Sequence, residues 1–145
     1  MTDEDLDGLA ATELGGRVTR SVEVAADTDD VWSTLSDPEL RALWLDDDDA
    51  RSRELRLDEV DDGRRLVWTW WPPGDETGAS TVEIVLAPTV GGTRVTVTET
   101  LESARVDLAG GPVRSVPATL RAGDRWTARL LGLELLFVAA GVLVR

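Results

Sequence analysis

Alternating apolar and polar side chains identify five segments of this chain as strands. The clearest segment runs from Thr93 to Leu101, where Val95 and Val97 share one face and threonines occupy the other. Gly91 and Gly92 come directly before it and predict a tight turn. The five predicted strands are residues 18–25, 53–60, 65–71, 81–86 and 93–101. The last four need only short connections, so they predict an antiparallel meander.

Two short helices are predicted after the first of these strands. Asp27 or Thr28 can cap the first helix, because a short side-chain oxygen accepts a hydrogen bond from a free backbone N–H. The residues predicted to point inward from it are Val31, Trp32 and Leu35. Pro38 suits the first position of the second helix. The predicted apolar stripe of that helix is Leu40, Leu43 and Trp44.

The C-terminal segment predicts one long helix over residues 118–144, in which Gly123 weakens the start. From Leu130 to Val144 it is apolar on nearly every side, and Glu134 interrupts the run. The run is shorter than the ~20 residues that span a bilayer, so we expect no contact with the membrane. A helix that is apolar all round must be covered all round. We therefore predict a homodimer that covers the outer face.

Composition narrows the chemistry that the chain can perform. Its 145 residues carry a net charge of −13 and include no His, Cys, Lys or Tyr. A negative field repels phosphate backbones, so we expect no binding to nucleic acid. Without those four residue types there is no ordinary catalytic triad, Schiff base or thiolate, and proton transfer falls to Asp and Glu. We assign no catalytic residue, no cofactor and no metal site.

The sequence also indicates the cellular compartment in which the protein is expected. The N-terminal residues 1–16 are acidic and have neither the basic region nor the apolar region of a signal peptide. The chain has no cysteine, so nothing favours an oxidising compartment. A cytoplasmic location is the resulting prediction.

Four consecutive acids, Asp46 to Asp49, have two interpretations. One is a site for a hard cation such as Mg²⁺ or Ca²⁺, which prefers oxygen ligands. The other is a solvated loop. We favour the solvated loop, because adjacent carboxylates in a flexible run do not converge on one point.

Three segments also carry a family resemblance: VWSTLSDPELRALW at 31–44, RLVWTWW at 65–71 and GGTRVTVTET at 91–100. Together they resemble the START-like superfamily, in the branch named after the activator of the heat-shock-protein-90 ATPase. The resemblance implies an α+β helix-grip fold. In that fold, an antiparallel sheet of about five to six strands wraps around the long C-terminal helix, with two short helices after the first strand.

The resemblance also implies a domain organisation. Residues 17–145 are expected to form a single START-like domain, behind an acidic and flexible lead-in over residues 1–16. Relatives usually have two more strands after the second short helix. This chain lacks that length, so one cavity wall is expected to be thin or to come from a partner chain.

Buried charge is the main sign of a site. Glu99 lies on the apolar side of its strand, where a carboxylate needs a partner. The first and last strands are neighbours in the START-like fold, so Arg20 is a candidate partner for Glu99. Glu134 is a further charged candidate on the final helix. Two interpretations stay open: a polar cluster that orients a ligand, and a structural ion pair.

The resemblance implies a cavity between sheet and helix, and the leading hypothesis is that a small apolar molecule binds there. One alternative is a protein-interaction or chaperone-activator-like module. The other is a cyclase- or hydrolase-type enzyme that uses a cavity carboxylate. Trp126 is expected to supply core volume only. The predicted ligand-binding residues are Trp32, Trp44, Trp68, Trp70, Val97, Glu99, Leu130, Glu134 and Phe137.

Overall fold

The chain folds as one antiparallel sheet with a long helix packed against it. The computed structural model describes residues 11–14, 16–75, 78–101 and 115–144. The strands in this part are β1 (Ala11–Leu14), β2 (Arg17–Val24), β3 (Glu54–Asp61), β4 (Arg65–Trp71), β5 (Ser80–Thr89) and β6 (Gly92–Leu101). The helices are α1 (Thr28–Ser36), α2 (Pro38–Trp44), α3 (Asp48–Ser52) and α4 (Ser115–Val144). The strand order is β1-β2-β6-β5-β4-β3.

The predicted α+β helix-grip class is confirmed, but the predicted lead-in over residues 1–16 needs a correction. Residues Ala11–Leu14 pair with β2 as an edge strand. Gly16 makes the connection with a φ of 82°, a value that favours glycine. A four-residue strand is too short to show a clear alternation, which is why the sequence pattern does not reveal it. Residues 1–10 lie outside the described part.

The core face of the sheet comes from alternate positions, as the pattern predicts. Val95 and Val97 on β6 are buried, and so are Val18 and Val24 on β2. Each such side chain contributes roughly 1.5–3 kcal/mol when it leaves water. The opposite face is rich in hydroxyl groups that pair across the strands. These two faces place every inward residue of β6, including Glu99, toward the helices.

The turn between β5 and β6 requires glycine at one position. Gly92 has a φ of 155°, and a Cβ atom there would lie 2.0 Å from the carbonyl oxygen of Val24. This distance is far inside van der Waals contact. The close approach locks the turn against the end of β2 and so fixes the register of β6, on which the candidate site depends.

Helix α2 begins where the sequence predicts but presents a different face. The Asp37 carboxylate accepts hydrogen bonds from the backbone N–H groups of Glu39 and Leu40 at 2.8 and 3.2 Å, and Pro38 occupies the first turn. The predicted stripe is wrong for Leu40 and Leu43, which are 39% and 69% exposed, and correct for Trp44, which is buried.

Arg41, which the sequence pattern does not predict to point inward, is the other buried residue of α2. The Arg41 guanidinium donates to the carbonyl of Leu35 at 3.0 Å and lies 5.8 Å from the ring of Trp68. Burial lowers the pKa of Arg41, and the Asp37 carboxylate acts in the opposite direction. An arginine is useful here because it satisfies carbonyl groups at the C-terminal end of α1 that have no partner within their helix.

Helix α4 packs one face on the sheet and leaves another exposed. Its buried residues Trp126, Leu130 and Leu133 are spaced by four and three, which places them on one side. Gly123 does not break the helix; its carbonyl accepts a hydrogen bond from the Thr127 hydroxyl at 2.9 Å. Within the described residues, no helix is long and apolar enough to cross a membrane.

Candidate functional site

Glu99 is a buried carboxylate at the junction of the sheet and α4. Its side chain points inward, as predicted, and only 4% of the residue is exposed. One carboxylate oxygen, Oε1, accepts a hydrogen bond from the indole N–H of Trp126 at 2.8 Å. The other, Oε2, accepts from the indole of Trp70 at 3.0 Å and from the hydroxyl of Ser80. Donors from β4, β5 and α4 thus replace water around this charge.

The hypothesised pair between Arg20 and Glu99 is wrong. In the register of β2 and β6, Arg20 lies opposite Val97, whereas Glu99 lies opposite Val18. The guanidinium of Arg20 donates instead to the Thr127 hydroxyl at 3.1 Å and to a backbone carbonyl of β2. The strands are neighbours as expected, but indole and hydroxyl donors reach Glu99 in place of the arginine.

Four tryptophans fill the space between the sheet and α4. The ring centroids of Trp70 and Trp126 are 6.0 Å apart in a stacked arrangement, and Trp68 meets Trp70 edge-on at 5.6 Å. Trp44 lies 6.2 Å from Trp126 and donates its indole N–H to the carbonyl of Arg129 at 2.6 Å. All four rings are buried, so they form packed core and not an open apolar chamber.

Most of the predicted ligand residues therefore come together as core. Trp44, Trp68, Trp70, Val97 and Leu130 belong to one buried cluster. Trp32 and Phe137 are partly buried and pack against its edge. Glu134 is half-buried and has no hydrogen-bond or ion-pair partner among the described residues.

Arginines cover the polar end of this core. Arg129 is 6% exposed, and its guanidinium carbon lies 4.7 Å from the ring centroid of Trp126 and 5.4 Å from that of Trp70. Arg53 lies 5.2 Å from the Trp70 centroid. Such cation–π contacts gain strength away from water. One guanidinium nitrogen of Arg53, Nη1, is buried and has no hydrogen-bond acceptor in the described part of the chain.

Two of the four consecutive acids turn inward to hold these arginines. Asp47 accepts from Arg129 Nε at 2.8 Å and caps α3 through the N–H of Ala50. Asp49 contacts Arg129 and Arg53 at 3.0 and 3.2 Å. The favoured interpretation of a solvated loop is thus wrong for these two residues. No group of three or more metal-ligating side chains occurs among the described residues.

The electrostatics of both acids follow from this network. Burial acts to raise the pKa of Asp47 and of Asp49, but the arginine hydrogen bonds and charges outweigh it. Both pKa values therefore lie below the ordinary value for aspartate. At neutral pH both carboxylates are charged, and each fixes at least one guanidinium at the mouth of the site.

A cavity of about 130 Å³ lies beside Glu99 where β5, β6 and α4 meet. Its apolar wall is Leu101 and Ala122. Four arginines also line it: Arg53, Arg121, Arg125 and Arg129. Among the predicted ligand residues, Glu99 alone reaches this cavity. The sequence does contain a signal for three of these arginines. Positions 121, 125 and 129 recur at helical spacing, which places all three on one face of α4.

A family comparison agrees with this architecture. Residues 52–120, just under half of the chain, match the family described as Activator of Hsp90 ATPase homolog 1-like protein. The predicted resemblance is confirmed. The match includes the segments at 65–71 and 91–100 and leaves out the segment at 31–44. No curated protein sequence matches it.

Solved structures share the START-like fold of this chain at low identity. A solution structure of a protein from Arthrobacter aurescens has a TM-score of 0.69 at 14% identity and covers 90% of this chain and 92% of its own. A crystal structure from Nitrosomonas europaea has a TM-score of 0.59 at 20% identity, with 90% and 99% covered. DynU16, a protein in the dynemicin biosynthetic locus, has a TM-score of 0.64 at 20% identity, with 82% and 46% covered.

Proposed function

We propose that this chain is a START-like small-molecule-binding protein whose ligand occupies the cavity beside Glu99. The observation that carries the proposal is a buried carboxylate, fixed by two indole N–H groups and a hydroxyl, in the wall of a cavity between sheet and helix. A concave site with a few convergent polar groups is the usual form of a ligand pocket.

The size and lining of the cavity restrict which apolar molecules can bind. Pockets for drug-sized molecules occupy about 300–1,000 Å³, and this one occupies about 130 Å³. The bound part of the ligand is therefore small. Its apolar surface can contact Leu101 and Ala122, while its polar group can contact the arginines.

The enzyme alternative lacks an observation in its favour. A general base must reach the proton that it removes. Both oxygens of Glu99 already accept hydrogen bonds from Trp70, Ser80 and Trp126. Glu99 is therefore proposed as a fixed charged group that positions a ligand in the cavity, and no residue is proposed as catalytic.

Native mass spectrometry tests the proposal. We expect the purified protein to carry a reproducible extra mass that a denatured sample of the same batch lacks. Ala122→Leu should reduce that mass, because Ala122 is buried in the cavity wall and the larger side chain occupies the cavity. Ala128→Leu, at an exposed position of the same helix, is the matched control. Absence of any extra mass, or its full retention in Ala122→Leu, would contradict the proposal.

We also propose that the chain forms a homodimer through the outer face of α4. Leu131, Leu135 and Val138 are 52%, 64% and 49% exposed and lie on one side of the helix at spacings of four and three. Gly132 has open space around it, which lets a second helix approach closely. A stripe of this kind can contact its own copy across a twofold axis. The cytoplasmic location stays a prediction.

A further inference from the structure

The cavity beside Glu99 has a charge opposite to that of the whole chain. The chain carries a net charge of −13. In the described cavity wall, Arg53, Arg121, Arg125 and Arg129 face two acids, Asp49 and Glu99. A third acid, Asp47, is not part of the wall but contacts Arg129 at 2.8 Å. A local excess of positive charge in an acidic protein indicates a specific role for these arginines, because charge on a surface adjusted for solubility alone has no reason to converge on one cavity.

The two acids in the wall are already engaged. Asp49 contacts Arg53, Arg125 and Arg129 at 3.2, 3.6 and 3.0 Å. Among the described residues, Glu99 accepts only from neutral donors, the two indoles and a hydroxyl. The two carboxylates together therefore leave some N–H groups of the four guanidinium groups without an acceptor in the wall.

Donors remain for a ligand. Arg53 Nη1 is buried and has no acceptor within the described residues. Arg121 lines the cavity, and no described residue forms an ion pair with it. A buried guanidinium N–H without an acceptor is costly, and a planar guanidinium group matches a carboxylate or a phosphate with two parallel hydrogen bonds.

We propose that the cavity binds a small organic anion, with its charged oxygens at Arg53 and Arg121 and its apolar part against Leu101 and Ala122. This inference rests on the proposed function and names the chemical class of its ligand. Carboxylate and phosphate share the required chemistry. Neutral molecules of the same shape lack the charge that these arginines recognise.

A titration with three matched probes tests the inference. Benzoate, phenyl phosphate and benzamide share a ring and differ in charge. The readout is the set of six indole N–H resonances in a proton–nitrogen correlation spectrum, since Trp70 and Trp126 donate directly to Glu99 in the cavity wall. We expect at least one anion to shift these two resonances and to bind about tenfold or more tightly than benzamide at low salt.

Two variants assign the effect to the arginines. Arg121→Gln should lower the affinity for the anion about tenfold and leave that for benzamide unchanged, and Arg53→Gln should do the same. Arg94→Gln, at an exposed position of β6 outside the cavity wall, is the control. Arg121 is exposed and forms no ion pair with a described residue, so its variant remains informative if Arg53→Gln does not fold.

The outcomes separate the inference from the proposed function. Preference for benzoate identifies a carboxylate, and preference for phenyl phosphate identifies a phosphate. Equal binding of benzamide and the anions overturns the inference while the proposed function stands. If no probe shifts the indole resonances, or if Arg94→Gln weakens the anion as much as Arg121→Gln, the inference is also overturned. The native mass spectrum then decides the proposed function by itself.

Discussion

Replacing Glu99 with glutamine tests whether this carboxylate holds the sheet and α4 together. The substitution keeps the volume of the side chain but turns one acceptor oxygen into an NH₂ group. Trp126 donates to Oε1, and both Trp70 and Ser80 donate to Oε2, so residue 99 accepts hydrogen bonds on both sides. Glutamine offers an acceptor to one indole and a donor to the other.

The expected magnitude follows from that mismatch. One buried donor loses its acceptor, at a cost of about 1–3 kcal/mol. That donor is the indole of Trp126, or the hydroxyl of Ser80 where the Trp70 indole keeps the Ser80 oxygen, 3.1 Å away, as its acceptor. Glutamine is neutral, so the variant also avoids the cost of burying the charge of Glu99, which acts in the opposite direction. We expect the first effect to be larger, because three donors solvate the carboxylate in the native state. Glu99→Gln should therefore lower the free energy of unfolding by about 1–3 kcal/mol.

Urea unfolding, followed by far-ultraviolet circular dichroism and tryptophan fluorescence, measures this change. With a slope of about 1–3 kcal/mol per molar urea, the midpoint should fall by about 1 M. Thr98→Val is the matched control. It lies beside Glu99 on β6 but points to the other face, where its hydroxyl is 3.1 Å from that of Thr19, so it should cost at most about 1 kcal/mol.

Two results would refute this reasoning. Unchanged stability in Glu99→Gln would mean that the indole groups find another acceptor. Increased stability would mean that the desolvation of the charge dominates and that Glu99 is retained for a reason other than stability. In either case, the proposed structural part of its role would have to be abandoned.

Three further predictions concern other parts of the molecule. Gly92→Ala should destabilise by about 3 kcal/mol or more in urea unfolding, because the new Cβ would overlap a backbone carbonyl; Gly91→Ala should cost far less, and equal costs would contradict this account. Asp49→Asn should cost about 1–3 kcal/mol at neutral pH. The pKa of Asp49 is lowered in the folded state, so its charged form stabilises the fold fully above the unfolded-state pKa of about 4. This stabilisation is lost as the pH falls through the folded-state pKa. A cost of Asp49→Asn that persists in acid would contradict the stabilising role of the charge. Leu135→Arg should halve the mass measured by sedimentation while Leu43→Arg on α2 leaves it unchanged, and a wild-type monomer would refute the dimer.

Sequence patterns predict the sheet of this protein well because alternation is strong where one face is buried. The segment from 65 to 71 shows this, since Leu66, Trp68 and Trp70 alternate along it and all three are buried. The same method fails in α2, where a helix of two turns is too short for a stripe to be decisive. There Arg41 replaces a leucine on the inner face because it can satisfy the carbonyl groups of α1.

The candidate site is harder to predict because it depends on long-range partners. The pattern places Glu99 inside the sheet correctly, but it contains no information about which donors reach it. Trp126 and Ser80 come from elements that are distant in the chain. The inward turn of Asp47 and Asp49 has the same cause, since their partner Arg129 lies about eighty residues away. A run of acids taken alone favours solvent.

A crystal structure of the protein as purified tests the central claim most directly. We predict electron density for a small molecule in the cavity beside Glu99, with a polar atom within hydrogen-bond distance of Arg53 Nη1. Density for water alone, in a protein that has also been soaked with benzoate and phenyl phosphate, would contradict the claim that this cavity is a ligand site.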